Sequence, residues 1–505
     1  MRVRINPFSD THWFDDFLDE VANEVEGGIG AQYAKFRAKY RNAPINFAND
    51  CIIWPKGQKL LPYQARVLAS LVNNKRVAVR GPHGLGKSAV AALAVLWFAL
   101  TRDGSDNWRI GVTAGSHSQL RTYTWPEIHL WESRLNWPLI GREPWKENKE
   151  SQKENLVLDT GRAFAFASDK PELLEGAHAD EMLIVFDESK AISDATFDSL
   201  EGAFSGAGSD TGRAAYALST STPGQPIGRF YDIHARKPGF EDWTAQHIKL
   251  VDIIRAGRIS LEWVDQRKRQ WGESSVLYQN RVLGEFATDS STGIFSLSAI
   301  EAAIDRWLDW VERGKPGVVT KIGVDVGRGG DKSTFALLYD DLYVDTLFEM
   351  SNSELSEVWN YCEILLEKHN QSTMIIDGIG IGAGVVDTLN ERGYRRRVKS
   401  FISSGRCHRK DQTKSFGFLN MRAALWWVGR EWLHSEDSEI ALPAKDDTLT
   451  GDLIAPNYET AQGAKVKVES KADVKKRLSR STDRADAVLM ALCGADVAKS
   501  RSSWA

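Results

Sequence analysis

The octapeptide Gly81–Ser88, GPHGLGKS, constrains this 505-residue chain more than any other stretch. It matches the spacing G-x-x-x-x-G-K-[ST] without a gap. Its flanks also fit: Arg76–Arg80 (RVAVR) reads as a short buried strand, and Ser88–Leu100 as an apolar helix. A strand that breaks into a glycine-rich turn and re-enters as a helix lets backbone N–H groups wrap phosphates, and the helix N-terminus adds positive potential. Gly81, Pro82, His83, Gly84, Leu85 and Gly86 form the expected cradle. Lys87 is expected to hold the β- and γ-phosphates of ATP, and the Ser88 hydroxyl to ligate Mg2+. Further strands are expected at Arg109–Thr113, Met182–Phe186 and Ala214–Leu218. Strands alternating with helical stretches predict an α/β fold with a mostly parallel, doubly wound sheet, a P-loop NTPase domain.

The other half of such a site should be a carboxylate at a strand end. Asp187-Glu188 follows the strand MLIVF. Asp187 is expected to support Mg2+, and Glu188 to orient or deprotonate the attacking water. Gln64, in LPYQ just before the first strand, carries an amide that can read adenine through two hydrogen bonds. Ser219–Pro223 (STSTP) follows the fourth strand, where small hydroxyls can sense a γ-phosphate; a simple turn is the plainer reading. Arg80, Arg121 and Arg142 are candidates for a transition-state arginine, with a structural role the plainer reading for each.

A different chemistry is written after Gly314–Gly317 (GKPG), where a new β pattern begins. Strands are expected at Thr320–Val326, Phe335–Tyr339, Tyr343–Met350 and Thr373–Asp377, with a helix over Leu355–His369 and another near Arg484–Leu492. Asp325 lies inside an apolar strand, where an aspartate is costly unless paired or metal-bound. Asp377 ends MIID and runs into GIGIGAG; Asp486 lies at the start of the last helix. Three carboxylates from two strands and a helix can hold two divalent ions and so stabilise both the attacking and leaving oxygens of phosphodiester hydrolysis. Oxygen donors suit Mg2+ or Mn2+. Asp331 and Asp483 are further candidates for which turn and cap roles are equally good readings.

Composition bounds the rest. Apolar residues make up 42%, which argues against wholesale disorder. The longest apolar run, Ala89–Leu100, is 12 residues, short of a membrane span. The N-terminus MRVRINPFSD lacks an apolar secretory core. Cys51, Cys362, Cys407 and Cys493 lie far apart and form no CxxC pair, so neither zinc nor a disulfide framework is implied. A soluble, reducing, cytoplasmic setting is expected, with no membrane partner. Net charge is −4, yet the charges segregate: Arg392–Lys414 holds nine basic residues against one acidic, Lys465–Arg484 eight against three, and Asp340–Glu391 eleven acidic against one basic. Two basic patches beside an acidic stretch can form a phosphate track near a metal site; a solvated face is the alternative.

From about Leu60 to Leu492 the chain resembles the large terminase subunits of tailed bacteriophages. The resemblance rests on GPHGLGKS (81–88), LLEGAHADEMLIVFDES (173–189), STSTPGQPIGRFYD (219–232), SSVLYQNRVLGEF (274–286), GVDVGRGGDKS (323–333), IIDGIG (375–380) and SRSTDRADAVLMAL (479–492), in that order. It departs in reading Ser189 where family members commonly have alanine after the acidic pair. The resemblance implies an ATPase domain of the P-loop class joined to an RNase H-like nuclease. It implies the nucleotide role for Lys87 and Ser88, the Mg2+ and hydrolytic roles for Asp187 and Glu188, and the nuclease metals, two Mg2+ or Mn2+, for Asp325, Asp377 and Asp486.

By the same resemblance, ATP hydrolysis would drive double-stranded DNA through the portal of a prohead, and the nuclease would cut concatemeric DNA. The implied partners are DNA, the portal protein, a small terminase subunit and further copies in a ring, often of five. The implied location is the host cytoplasm, at the portal during assembly and not in the mature virion. Lys and Arg of the basic segments would grip phosphate with little sequence preference. The expected division is residues 1–58 as an N-terminal helical extension, 59–250 as ATPase, 251–313 as helical subdomain or linker, 314–494 as nuclease, and 495–505 as a flexible tail. Three other readings stay open: a helicase or other DNA-dependent ATPase, an ATP-regulated resolvase-like nuclease, and a catalytically silent scaffold.

Overall fold

The computed structural model describes residues 29–166, 179–204, 213–327, 332–351, 354–461, 463–478 and 480–499. Asp331, the first 28 residues and the end of the tail lie outside the described residues. The chain forms two compact units, one of residues 1–222 with 227–248, the other of residues 223–226 with 249–505. The helical segment after Ile248 groups with the second unit.

The first unit is built on seven strands: β1 Arg76–Arg80, β2 Trp108–Thr113, β3 Asn155–Val157, β4 Gly161–Ala165, β5 Glu181–Asp187, β6 Ala214–Ser221 and β7 Thr244–His247. Their order across the sheet is β3-β4-β2-β5-β6-β1-β7, with every pairing parallel except β3 with β4. The four expected strands are all present. The three others are short or polar (NLV, GRAFA and TAQH), too brief for an apolar run to announce them. Helix α1 (Pro62–Asn74) precedes β1, and helix α2 (Lys87–Arg102) follows it. From Val90 to Arg102 every residue of α2 is buried. That is why its sequence is apolar all round rather than on one stripe. Strand β6 lies between β1 and β5 in register, pairing Arg80 with Ser221 and Asp187 with Thr220. Its hydroxyl-rich end therefore stands between the phosphate loop and the acidic pair.

In the second unit, helix α3 (Leu297–Glu312) leads into β8 Val319–Asp325, β9 Ser333–Tyr339 and β10 Tyr343–Met350. Helix α4 (Leu355–Lys368), β11 Thr373–Asp377 and β12 Val398–Phe401 follow. The sheet order is β10-β9-β8-β11-β12: an antiparallel meander of three strands, then two strands parallel to β8. This is the RNase H-like arrangement. A small sheet of β13 Gly417–Phe418, β14 Tyr458–Ala461 and β15 Lys465–Val468 packs against helix α5 (Met421–Leu433). Helices α6 (Lys471–Leu478) and α7 (Asp483–Leu489) come last, before a π-turn and a short terminal helix.

Period-two alternation sends the strands' side chains into two separate cores. Met374, Ile376, Ile322, Val324, Phe335 and Leu337 pack on one face with Cys362 and Leu366 of α4. Ile375, Ala336 and Leu338 pack on the other with Trp426 of α5 and Leu489 of α7. At Gly323 an added Cβ would come within 2.0 Å of the Ala487 carbonyl oxygen, so α7 lies backbone-to-backbone on β8. Only glycine permits that approach.

Candidate functional sites

The phosphate loop has the conformation its glycines foretell. Gly84 and Gly86 both take φ of +79°, and Gly86 is the N-cap of α2. L-residues with a Cβ rarely adopt this backbone. Leu85 is buried, and its carbonyl accepts a 3.0 Å hydrogen bond from the Tyr63 hydroxyl. Gln64 is buried; its Oε1 accepts from the Leu61 N–H at 3.0 Å, satisfying the backbone at the N-terminus of α1, and its Nε2 lies beside Gly86. One carbonyl lone pair and the amide N–H remain for a base. Lys87 Nζ donates to Thr222 Oγ1 at 2.8 Å and lies 3.7 Å from Glu188 Oε1, and Ser88 follows it in the first helical turn. This ring of N–H groups, ammonium and hydroxyl suits a nucleotide phosphate chain with its magnesium.

The three hydroxyls at the end of β6 each meet one of the charged groups. Thr220 Oγ1 donates to Asp187 Oδ1 at 3.2 Å, Ser221 Oγ to Glu188 Oε2 at 3.2 Å, and Thr222 Oγ1 accepts from Lys87. Thr124 Oγ1 donates to Asp187 Oδ2 at 2.8 Å. Glu188 sits in the left-handed region, φ +46° and ψ +48°, a cost of ~1–3 kcal/mol that clusters at functional sites. Burial raises the Asp187 carboxyl above the ordinary range, and the neighbouring Glu188 charge raises it further. Burial also resists ionisation of Glu188, but Lys87 and Lys190 outweigh it and the group is lowered. An ionised Glu188 next to Lys87 is the protonation state a water-orienting base needs. Of the three arginine candidates, Arg121 pairs with Glu154, and Arg142 with Asp103 at 3.4 Å and Glu150 at 2.7 Å. Arg80 ends β1, where its carbonyl accepts from the Ile248 N–H at 2.9 Å.

The second site follows from sheet parity. Ile375 pairs with Gly323, and Ile376 with Val324, so Asp377 and Asp325 fall at matching ends of adjacent parallel strands. Both share the parity of Gly323 and Ile375, the residues that face α7. Asp486, on α7, is thereby brought to them. Asp325 and Asp486 are buried, Asp377 half-buried. Asp486 Oδ1 accepts from Arg422 Nη1 and, at 2.8 Å, from Trp426 Nε1; its Oδ2 accepts from Thr482 Oγ1 at 2.8 Å. Asp377 Oδ1 accepts from the Ile379 N–H at 3.3 Å, and Oδ2 from Ser403 Oγ at 3.5 Å.

A residue from the second basic run completes the cluster. Lys471 Nζ lies 2.8 and 2.7 Å from the two Asp325 oxygens, 3.3 Å from Asp486 Oδ2 and 3.6 Å from Asp483 Oδ1. The run's charge suggested a DNA-gripping surface, but this member turns inward. The first run divides too: Arg392 pairs with Glu363 and covers the Trp359 ring, and Arg397 bonds the His369 and Ser372 carbonyls, while Arg395, Arg396 and Lys399 are exposed. Burial raises Asp325, and Asp486 and Asp483 add to it against Lys471. Burial likewise raises Asp377. Asp486 is lowered: burial opposes its charge, but Arg422 and Lys471 prevail. Lys471 is held firmly protonated: burial works against its charge, but Asp325 and Asp486 outweigh it.

Among the described residues no three acidic, histidine or cysteine side chains form a ready-made ion cage. The ammonium of Lys471 stands among the acids instead, a single positive charge where a hard cation's charge would go. The donor set of Asp325, Asp377 and Asp486 is all carboxylate oxygen, which fits Mg2+ or Mn2+. Arg422, Trp426 and Lys471 were not legible as site residues, because they lie 64, 60 and 146 residues from the aspartates they bond; Thr482 stands only 4 residues before Asp486, but a threonine there reads equally well as a helix cap.

A P-loop-type α/β unit followed by a unit of RNase H-like topology defines the class of fold. No family model matches the chain. It is 25% identical over 372 residues, 69% of this chain and 72% of the relative, to a probable terminase large subunit of Enterobacteria phage P7. Structural comparison finds the large terminase of a thermophilic bacteriophage, at TM-score 0.41 and 14% identity, over 86% of this chain and 99% of that one. It also finds a nuclease domain of the large terminase subunit of bacterial virus Sf6, a lysine-to-alanine mutant with manganese, at TM-score 0.34 and 17% identity, over 40% and 98%. The chain is thus similar in sequence to a probable phage terminase large subunit, in line with the motifs quoted above.

Proposed function

We propose that this protein is the motor and nuclease of a viral DNA-packaging machine. It hydrolyses ATP to move double-stranded DNA into a prohead and cuts concatemeric DNA. The observation that carries this reading is the coexistence of two built sites on one chain, the Lys87/Asp187/Glu188 cluster and the Asp325/Asp377/Asp486 cluster. A helicase or a scaffold leaves the second cluster unexplained; an ATP-regulated resolvase-like nuclease accommodates both clusters and is distinguished by a preference for branched DNA.

At the first site, Gly81–Gly86, Lys87 and Ser88 would bind the phosphates, Asp187 and Ser88 would hold Mg2+, and Gln64 would meet the base. Glu188 would orient the water and take its proton. When Thr222 gives up Lys87 to a γ-phosphate, the shift passes into β6, whose neighbouring hydroxyls hold both carboxylates. At the second site, Asp325, Asp377 and Asp486 would hold two Mg2+ or Mn2+. Bound there, the metals supply a Lewis acid for the phosphodiester and an acidified water. Lys471 would have to withdraw from Asp325 for the acids to take up that role. Exposed Arg395, Arg396 and Lys399 would contact backbone phosphates. The division into extension, ATPase (59–250), helical subdomain (251–313), nuclease (314–494) and tail belongs to the same proposal. So do the portal protein, a small terminase subunit, a homo-oligomeric ring and a host-cytoplasmic location.

The test is to incubate the full-length chain with supercoiled plasmid and Mn2+, beside Asp377→Ala, while following ATP hydrolysis with and without double-stranded DNA. Nicked and linear products from the wild type alone, with DNA-stimulated hydrolysis in both, are expected. ATP hydrolysis without cutting by either protein would remove the nuclease and leave a translocase.

A further inference from the structure

Asp187 is clamped from two sides. On the sheet side its Oδ1 accepts from Thr220 Oγ1 at 3.2 Å and from the Glu188 N–H at 3.1 Å. On the other side its Oδ2 accepts from Thr124 Oγ1 at 2.8 Å, and among the described residues this is the one hydrogen bond to that oxygen. Thr124 is buried and ends a π-turn, Leu120–Thr124, between the helical turn His117–Gln119 and the helix Trp125–Glu132. A π-turn is a rare departure from the α-helix on either side of it and is frequently found at functional sites. Here it is pinned at both ends. Outside, Arg121 pairs with Glu154, which His117 also approaches at 3.2 Å. Inside, Thr124 holds the carboxylate.

We propose that Thr124 is a positioning residue for the nucleotide's Mg2+: it fixes the rotation of the Asp187 carboxylate before the cation arrives. The inference rests on the ATP-site reading above. A carboxylate held at both oxygens presents fixed lone pairs; one held on the sheet side alone can rotate away, and ordering it must then be done by the cation. Thr124 lies outside the Gly81–Ser88 loop and spends its hydroxyl on Asp187, so its removal should leave metal-free nucleotide binding as it is. What it changes is the extra affinity that Mg2+ confers.

The experiment measures binding of fluorescent MANT-ADP to the full-length protein in Mg2+ and in EDTA. It uses wild type, Thr124→Val (same shape, no donor), Thr124→Ser (donor kept) and Lys87→Ala. Wild type is expected to bind more tightly in Mg2+ than in EDTA. Thr124→Val should weaken binding in Mg2+ by about tenfold, the scale of a lost hydrogen bond to a charged group, and stay within about twofold in EDTA. Thr124→Ser should restore most of the Mg2+ increment. Equal weakening in both conditions, or no change in either, overturns the proposal. Wild-type binding that Lys87→Ala does not weaken overturns the underlying ATP-site reading instead. Should Thr124→Val not fold, Thr124→Ala carries the same comparison under the same criteria.

Discussion

Each unit centres on a lysine among acids, but the two lysines stand in opposite relations to their neighbours. Lys87 bonds a hydroxyl and keeps 3.7 Å from Glu188, so its ammonium is available to a phosphate. Lys471 contacts three carboxylates and neutralises part of the charge that a metal would. The first site is poised for its ligand; the second is satisfied without one. A buried acid cluster left without cation is costly, and the two sites meet that cost by different means: hydroxyl donors in one, an internal ammonium in the other.

The sharpest way to break the comparison is to disable each site alone. Lys87→Ala should lower ATP turnover by more than about a hundredfold while plasmid cutting in Mn2+ persists, and Asp325→Asn should do the reverse, a scale set by removal of groups that stabilise transition-state charge. Loss of both activities in either variant would show that the sites are not separable.

Lys471→Ala sharpens it further. Removing one partner of a buried ionic cluster strands the others, so the second unit should lose ~2 kcal/mol in EDTA, a value lowered for the partial solvent access of the lysine. Mn2+ should restore it, and calorimetric titration should show tighter metal binding than wild type. A variant as stable as wild type in EDTA would mean that Lys471 does not serve as the internal counter-charge.

The most gradual effect is in pH. His234, in the first unit, is held down to about 3, chiefly by burial, with Arg80 and His247 adding to it. Its neutral form favours the fold above its unfolded value of 6.5, and that contribution is lost as pH falls toward 3, by at most about 1.4 kcal/mol per pH unit. Asp325, in the second unit, is raised, so its contribution is present below 3.8 and lost as pH rises. Hydrogen exchange from pH 4 to 8 in EDTA should show a shallower acid-side loss in the first unit of His234→Phe. Asp325→Asn should show a shallower loss in the second unit as pH rises. Slopes unchanged by these substitutions would assign the pH dependence to other groups.

What could be read in the sequence follows how local each feature is. The phosphate loop is eight consecutive residues, and its strand and helix are written on either side; it needs no tertiary information. Asp325 and Asp377 were legible because an aspartate ending an apolar strand is anomalous on its own. Lys471 was hidden within a run of like charges, where an inward lysine and an outward one look the same; only the fold of α6 distinguishes them. Thr124 was hidden for another reason. Threonine is ordinary in a helix, and the π-turn that brings it to Asp187 has no composition of its own. Strands β3, β4 and β7 were missed because three to five mixed residues carry no period.

Gly323 has a consequence for how the second site can respond to its surroundings. With no methyl between β8 and α7, the helix bearing Asp486 has no room to slide or roll toward the strand bearing Asp325. The spacing of those two carboxylates is set by main-chain contact and is, in effect, a fixed gauge. On the proposed reading, adjustment between a metal-free and a metal-loaded state would fall to the Lys471 side chain at the centre. The scaffold would stay rigid, and the moving part would be an ammonium on a four-carbon tether.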